Sequence, residues 1–267
     1  MRVIEVPGVE NVRDLGGIPV SGGRMVKPGL MYRGGALVGL TPEGVDVLFR
    51  QRGVACVIDV RCGWEREAKP DATVLGVENL HIPFYDKEKV GIEYTEPAEG
   101  TKVVGRDVAC DPDHFYRSLA NPLTVGQMRV CLAEAFGHAL AGKPVYMHCS
   151  GGKDRAGILA ALVLAVLGAS AEAIEEDYLL TNESRDKQYR RNYERFLGLA
   201  GGDEQRAREL VLSHRARPEN LRAFREAVAQ RYVCGEDFLR DQLGVTDDLR
   251  ARYRAECTIE TERFAAR

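Results

Sequence analysis

The stretch Val145–Ser170, "VYMHCSGGKDRAGILAALVLAVLGAS", decides how the rest of the chain is read. Val145, Tyr146 and Met147 make a short apolar run with the character of a buried strand. Ile158 to Leu167 is unbroken apolar and alanine-rich, with the character of a buried helix. Between them stand a cysteine, two glycines, a lysine, an aspartate and an arginine. A strand that becomes a helix across so short a bend exposes main-chain N–H groups there. Gly151 and Gly152 allow the positive φ angles that let successive N–H groups converge on one point. The helix beginning near Arg155 adds the positive end of its dipole, and the Arg155 guanidinium adds a planar fork matched to two oxygens of a phosphate. The spacing describes an anion cradle built from Ser150, Gly151, Gly152, Lys153, Asp154 and Arg155, with the Cys149 sulfur at its floor.

Helix N-termini and neighbouring cations favour a thiolate, and a thiolate beneath a bound phosphate is placed for in-line attack on phosphorus through a phosphocysteine. A nucleotide-binding Walker loop does not fit the same residues. Met147 stands where its first glycine belongs, and Asp154, not Ser or Thr, follows Lys153.

The surrounding sequence supplies the frame. "LMYR" and "ACVIDV" read as strands, and "TPEGVDVLFRQRG" between them reads as a helix with Thr41 as N-cap, Pro42 in the first turn and Gly53 as the stop. Strand, helix, strand is the pattern of a parallel sheet. "VENLHIPF" adds a strand. From Lys87 to Pro112 periodicity fails, and a polar segment of that length reads as a candidate lid. In "TVGQMRVCLAEAFGHALAG" Thr124 and Gln127 have capping-box spacing. Val125, Met128, Leu132, Phe136 and Ala139 share one helical face, and Gly142 closes the helix. Beyond Ser170 the chain reads as helix throughout, with Leu221, Phe224, Val228 and Tyr232 as a core stripe. The fold class expected is α/β, a mainly parallel central sheet flanked by helices. One phosphate-handling domain would span residues 1–267, with a core over 1–182, a candidate lid over 87–112 and a helical C-terminal portion over 183–267.

Composition narrows the function. A net charge of −3 argues against bulk binding of nucleic acid or of an anionic membrane. Seven cysteines lack disulfide or zinc spacing, which suits a reducing, cytoplasmic setting and suggests no metal. The start carries no conventional signal peptide, and the longest apolar run is too short to span a bilayer, so no stable membrane insertion is expected.

"HCSGGKDRAG" resembles the His-Cys-x5-Arg signature of cysteine-based tyrosine phosphatases. Its "GKDRAG" ending is similar to the bacterial branch of atypical tyrosine and lipid phosphatases, which includes a secreted mycobacterial enzyme and a Listeria virulence phosphatase. "NVRDLGG", "GRMVKPGLMYRGGAL", "VIDVR" and "EDYLLTN" extend the resemblance over most of residues 7–182. The resemblance implies Cys149 as nucleophile, Arg155 as phosphate clamp and His148 as a residue that tunes the thiolate from behind. It implies that Ser150 to Asp154 line the cradle, with Lys153 and Asp154 facing the substrate. Many phosphatases of this class carry Ser or Thr after the arginine to assist thiolate release; Ala156 here implies slower breakdown of the phosphoenzyme.

A proton donor for the leaving oxygen is also needed. Asp86, at the end of "HIPFYD", is the first candidate by position and by resemblance, and Asp154 is the second. Asp59 and Arg61, and Arg13 and Asp14 with Asn11, read as structural pairs. The expected activity is hydrolysis of phosphotyrosine, extending to phosphoserine, phosphothreonine or phosphoinositides. Its partners would be a phosphorylated protein or lipid substrate and inorganic phosphate in the site, with no cofactor and no nucleic acid. Two other readings of the same loop are an inactive phosphate-binding module and a rhodanese-like sulfurtransferase.

Overall fold

The computed structural model describes residues 2–85, 112–233 and 235–261. In chain order, β1 (Arg13–Asp14), β2 (Pro19–Val20), β3 (Arg24–Val26) and β4 (Met31–Gly34) precede a short helix α1 (Pro42–Val45) that runs on as a π-helical turn, Asp46–Gln51. Thr41 Oγ1 accepts from Gly44 N at 3.2 Å, Pro42 sits in the first turn, and the chain leaves at Gly53, as the sequence predicts. Then follow β5 (Cys56–Asp59), α2 (Gly63–Ala68), β6 (Glu78–His81), α3 (Pro112–Ser118), α4 (Pro122–Leu140), β7 (Val145–His148) and α5 (Arg155–Leu167). After α6 (Ala171–Ser184), the C-terminal portion holds α7 (Asp186–Leu199), α8 (Glu204–Ser213), α9 (Pro218–Arg231), α10 (Asp247–Cys257) and β8 (Thr258–Glu260).

The main sheet has the order β1-β4-β7-β5-β6. Its β4, β7, β5 and β6 are mutually parallel, and β1 is an antiparallel edge. All four residues of β7 are buried, which is why the segment reads as a continuous apolar run and not as an alternation. Its two faces nonetheless serve different cores. Val145 and Met147, with Met31, Cys56 and Ile58, pack under α4 and α5. Tyr146, with Tyr32 and Val57, packs against Val6 and Val12 of the N-terminal segment, Leu37 between β4 and α1, and Leu48 of the helical turn after α1. On α5, Ile158, Leu159, Val163, Leu164, Val166 and Leu167 are fully buried. Each contributes roughly 1.5–3 kcal/mol of transfer free energy over an exposed position.

Three readings are corrected. The cap of α4 is Asn121, whose side chain accepts from Thr124 N at 3.0 Å, and Thr124 and Gln127 lie inside the helix. Asn121 followed by Pro122 is the stronger start signal, because proline suits the first turn and asparagine caps well. Gln127 instead donates to Pro83 O at 3.0 Å. The C-terminal portion is not wholly helical, since β8 pairs antiparallel with β3, Ile259 opposite Met25. Tyr232 stands just past the end of α9, while Leu221, Phe224 and Val228 are buried in the larger core.

Register aligns the C-terminal ends of the parallel strands. Gly34 lies opposite His148, His148 opposite Asp59, and Asp59 opposite His81. The chain therefore leaves all four strands along one rim, where sites of open α/β sheets form.

Candidate active site

Cys149 follows the last residue of the central strand β7 and is 3% exposed. The loop after it turns into α5 at Arg155. Its main-chain carbonyls are held from outside one after another. Ser150 O accepts from Ala36 N at 3.2 Å, Gly151 O from Asn11 Nδ2 at 3.0 Å, and Gly152 O and Lys153 O from Arg33 Nη2 at 2.7 and 3.1 Å. In a trans peptide the carbonyl and the following N–H point in opposite directions. Four outward carbonyls therefore turn the N–H groups of residues 151–154 inward, as an anion cradle requires. Gly152 has φ +65, and a Cβ there would stand 2.3 Å from the Gly34 carbonyl carbon. No side chain fits without moving one of the two loops.

The ties to the loop originate in a buried charge cluster. Arg33 also donates to Asp177 Oδ2 at 2.8 Å, and Arg13 Nε donates to Asp177 Oδ1 at 3.1 Å, with both arginines at or below 1% exposed. Arg2 is a third arginine on this carboxylate, donating to Asp177 Oδ1 at 2.9 Å. Burial works against ionised Asp177, yet Arg13 and Arg33 outweigh it and hold the carboxyl at about 2. The pairing read within "NVRDLGG" is corrected: Arg13 pairs with Asp177 of α6, and Asp14 instead accepts from Gly16 N and Gly29 N, each at 2.7 Å. Arg13 Nη1 donates to Asn11 Oδ1 at 2.6 Å, and Asn11, with φ 62, brings its amide to the cradle.

Arg155 is 6% exposed and faces Glu65 of α2. Nη1 and Nη2 donate to Glu65 Oε2 and Oε1 at 2.5 and 3.0 Å, a two-pronged pair, and Ser150 Oγ donates to Glu65 Oε1 at 2.6 Å. Burial alone would lower the guanidinium, but Tyr85, Glu65 and Cys149 outweigh it, and it is held well above its ordinary value. The Tyr85 ring lies 5.5 Å from Arg155 Cζ. Glu65 was not singled out in the sequence. Its one signal was its place in the first turn of α2, where Oε2 also accepts from Cys62 N at 3.1 Å.

His148 is fully buried behind the cradle, with Nδ1 3.2 Å from Cys149 O and Nε2 3.2 Å from Asp71 Oδ2. Asp59, Asp71 and His148 offer three atoms close enough to hold a metal ion. The Arg61 guanidinium already fills that role, with Nη2 2.7 Å from Asp59 and 2.6 Å from Asp71. The Asp59–Arg61 pair read from the sequence is therefore structural, and turnover is expected to be unchanged by a chelator. Loss of activity on chelation that added metal restores would contradict this.

Lys153 points to the C-terminal portion, where Nζ donates to His214 O at 2.6 Å, and it stands 3.5 Å from Asp154 Oδ1. Asp154 accepts a short hydrogen bond from Tyr116 of α3. Burial pushes its carboxyl up, but Lys153, the Tyr116 hydroxyl, Arg185 and Arg155 together hold it below the usual range. The structure thus gathers Cys149, Ser150, Gly151, Gly152, Lys153, Asp154, Arg155 and His148 in one place. Asp86 and residues 87–111 of the candidate lid lie outside the described residues.

A sequence model described as the tyrosine phosphatase family matches residues 4–258. Among characterised sequences, the triple specificity protein phosphatase PtpB of Mycobacterium tuberculosis is 28% identical over 90% of this chain and 94% of its own. A protein of Cupriavidus necator, provisionally named a tyrosine-protein phosphatase, is 27% identical over 92% of this chain and 86% of its own.

Proposed function

The chain belongs to the tyrosine phosphatase family and is a cysteine-dependent phosphatase; from that premise we propose that Cys149 is its nucleophile, Arg155 its phosphate clamp and Asp86 its proton donor. The observation that carries the reading is the row of four outward carbonyls around a buried Cys149. The inward N–H groups and Arg155 bind the phosphoryl oxygens. The thiolate attacks phosphorus, the P–O bond to the leaving group breaks, and Asp86 gives that oxygen its proton. Water then attacks phosphorus of phospho-Cys149, Asp86 takes a proton from it, the S–P bond breaks to return the thiolate, and inorganic phosphate leaves. His148 holds the Cys149 carbonyl from behind.

Asp86 is chosen over Asp154 because Asp154 is held ionised by its neighbours, whereas a proton donor must begin protonated. Tyr85, the residue before Asp86, packs beside Arg155. Asp86→Asn is expected to lower kcat by roughly 10²- to 10⁴-fold. The loss should be steepest for phosphoserine, whose alkoxide leaves poorly, and mildest for an activated aryl phosphate. The decline of kcat from acidic to neutral pH should flatten. A wild-type profile in Asp86→Asn, with this leaving-group dependence in Asp154→Asn instead, would move the acid role to the cradle aspartate.

The substrates we propose are phosphotyrosine proteins, with phosphoserine, phosphothreonine and phosphoinositides as further substrates. PtpB is named for triple specificity, which supports that breadth. Turnover against a matched panel of phosphopeptides and phosphoinositides tests it, and strict confinement to phosphotyrosine would refute the wider claim. An inactive binding module or a sulfurtransferase would leave aryl phosphate intact. No described helix is long and apolar enough to cross a membrane. The five described cysteines are buried and none of them forms a disulfide, which supports a reducing, cytoplasmic setting. We treat the chain as one phosphatase domain because α9 and β8 pack with the same core and sheet edge as the N-terminal strands.

A further inference from the structure

The motif "EDYLLTN" lies on α6, behind the cradle, and the mechanism above makes no use of it. Its Asp177 holds Arg33, as described. The next residue, Tyr178, begins a second connection. Tyr178 Oη lies 2.5 Å from Tyr116 Oη, Asn220 Nδ2 of α9 donates to Tyr178 Oη at 2.9 Å, and Tyr116 donates to Asp154 Oδ1. Tyr116, Tyr178 and Asn220 are each 3% exposed or less.

Chemistry fixes the direction of this chain. An ionised carboxylate can only accept, so Tyr116 donates to Asp154. The Tyr116 oxygen must then accept from Tyr178, and Tyr178 in turn accepts from the Asn220 amide. Every hydroxyl proton points toward the cradle, and each bond polarises the next. The hydrogen bond to the Asp154 carboxylate is made at Oδ1, so the relay fixes that oxygen from the side of α3.

We infer that Tyr116 is a positioning residue of the phosphatase site, which with Tyr178 and Asn220 behind it fixes the Asp154 carboxylate as an acceptor facing the substrate. The inference rests on reading the Cys149 loop as the phosphatase site. Asp154 also faces Lys153, Arg155 and Arg185, and the Tyr189 ring stands nearby. Those cations keep a general attraction for the carboxylate, but none replaces the directed bond from Tyr116. Burial, then the Asp154 charge, holds the Tyr116 hydroxyl well above its ordinary value, so it stays a donor throughout the working pH range.

The test is a double-mutant cycle on the full chain with an aryl phosphate. Tyr116→Phe is expected to lower kcat/KM by about ten-fold, the scale of a hydrogen bond to a charged group. In an Asp154→Asn background it should cost nothing further, because the relay acts only through that carboxylate. A loss of equal size in both backgrounds, or no loss in the wild-type background, would overturn the inference. Should Tyr116→Phe fail to fold, as judged by its thermal melt, the same cycle with Tyr178→Phe decides on the same criterion, with a smaller loss expected. A measurement independent of turnover separates this claim from the phosphatase reading. The carbon-13 titration of the Asp154 carboxyl should move to higher pH in Tyr116→Phe, because the variant loses a bond that favours the charged form. An unmoved titration refutes the relay whether or not the protein hydrolyses phosphate.

Discussion

Replacing Cys149 with serine is expected to abolish turnover while leaving phosphate binding in place. A serine hydroxyl stays protonated where a thiol ionises, so the attacking atom is lost and no phosphoenzyme forms. The scale elsewhere for loss of a covalent nucleophile is on the order of 10⁶-fold in kcat. Binding should survive because nothing that builds the cradle passes through the sulfur. The loop carbonyls are held by Ala36, Asn11 and Arg33, and Arg155 is held by Glu65. Isothermal titration with inorganic phosphate and steady-state kinetics of the same sample read the two quantities together. Retained turnover would remove Cys149 from the mechanism, and lost binding alongside lost turnover would show that the sulfur shapes the cradle.

The second large effect is expected at Arg155. Arg155→Lys keeps the charge and removes the fork. In the wild type, two parallel bonds to Glu65 fix the guanidinium plane beneath the cradle, and Ser150 Oγ lies within 3.4 Å of Nη2. A lysine ammonium is a point charge with no plane to be fixed. It cannot hold Glu65 and two phosphoryl oxygens in one geometry. The equatorial oxygens carry the charge that develops in the transition state, and losing one donor aimed at such charge costs about 10²–10³-fold in kcat. We expect at least that loss, together with weaker phosphate binding. Near-normal kinetics in Arg155→Lys would place the clamp elsewhere on the rim.

Much of this site was legible because it is local in sequence. Cys149, Gly151, Gly152 and Arg155 fall within one turn between a strand and a helix, and short-range spacing carries their arrangement. The strands and the capped helix at Thr41 were legible for the same reason. What surrounds the loop was not. Glu65 stands ninety residues before Arg155, and Arg33 and Asp177 meet across 144 residues. An acidic residue in a first helical turn has an ordinary explanation, so nothing in Glu65 itself pointed to Arg155. Asn220 stands beside a stripe that announces only packing, and no sequence signal singled out Tyr116. The sheet order, which sets β7 between β4 and β5, brings these distant residues to one rim. The portion after residue 182 was legible only as helix, yet His214 holds Lys153 and Asn220 starts the relay to Asp154. The cap of α4 failed for a local reason, because two overlapping signals competed and Asn121 with Pro122 was the better one.

The central claim is that phosphate passes through the sulfur of Cys149. Rapid acid quench of wild-type enzyme during turnover of an aryl phosphate, followed by peptide mass spectrometry, tests it most directly. Ala156 in place of a hydroxyl residue should slow breakdown of the intermediate, which favours its capture. The account predicts one added phosphoryl group on the peptide containing Cys149, labile as a thiophosphate ester is, and none in Cys149→Ser. A phosphoryl group on any other residue, or turnover with no covalent adduct and no burst of leaving group, would contradict it.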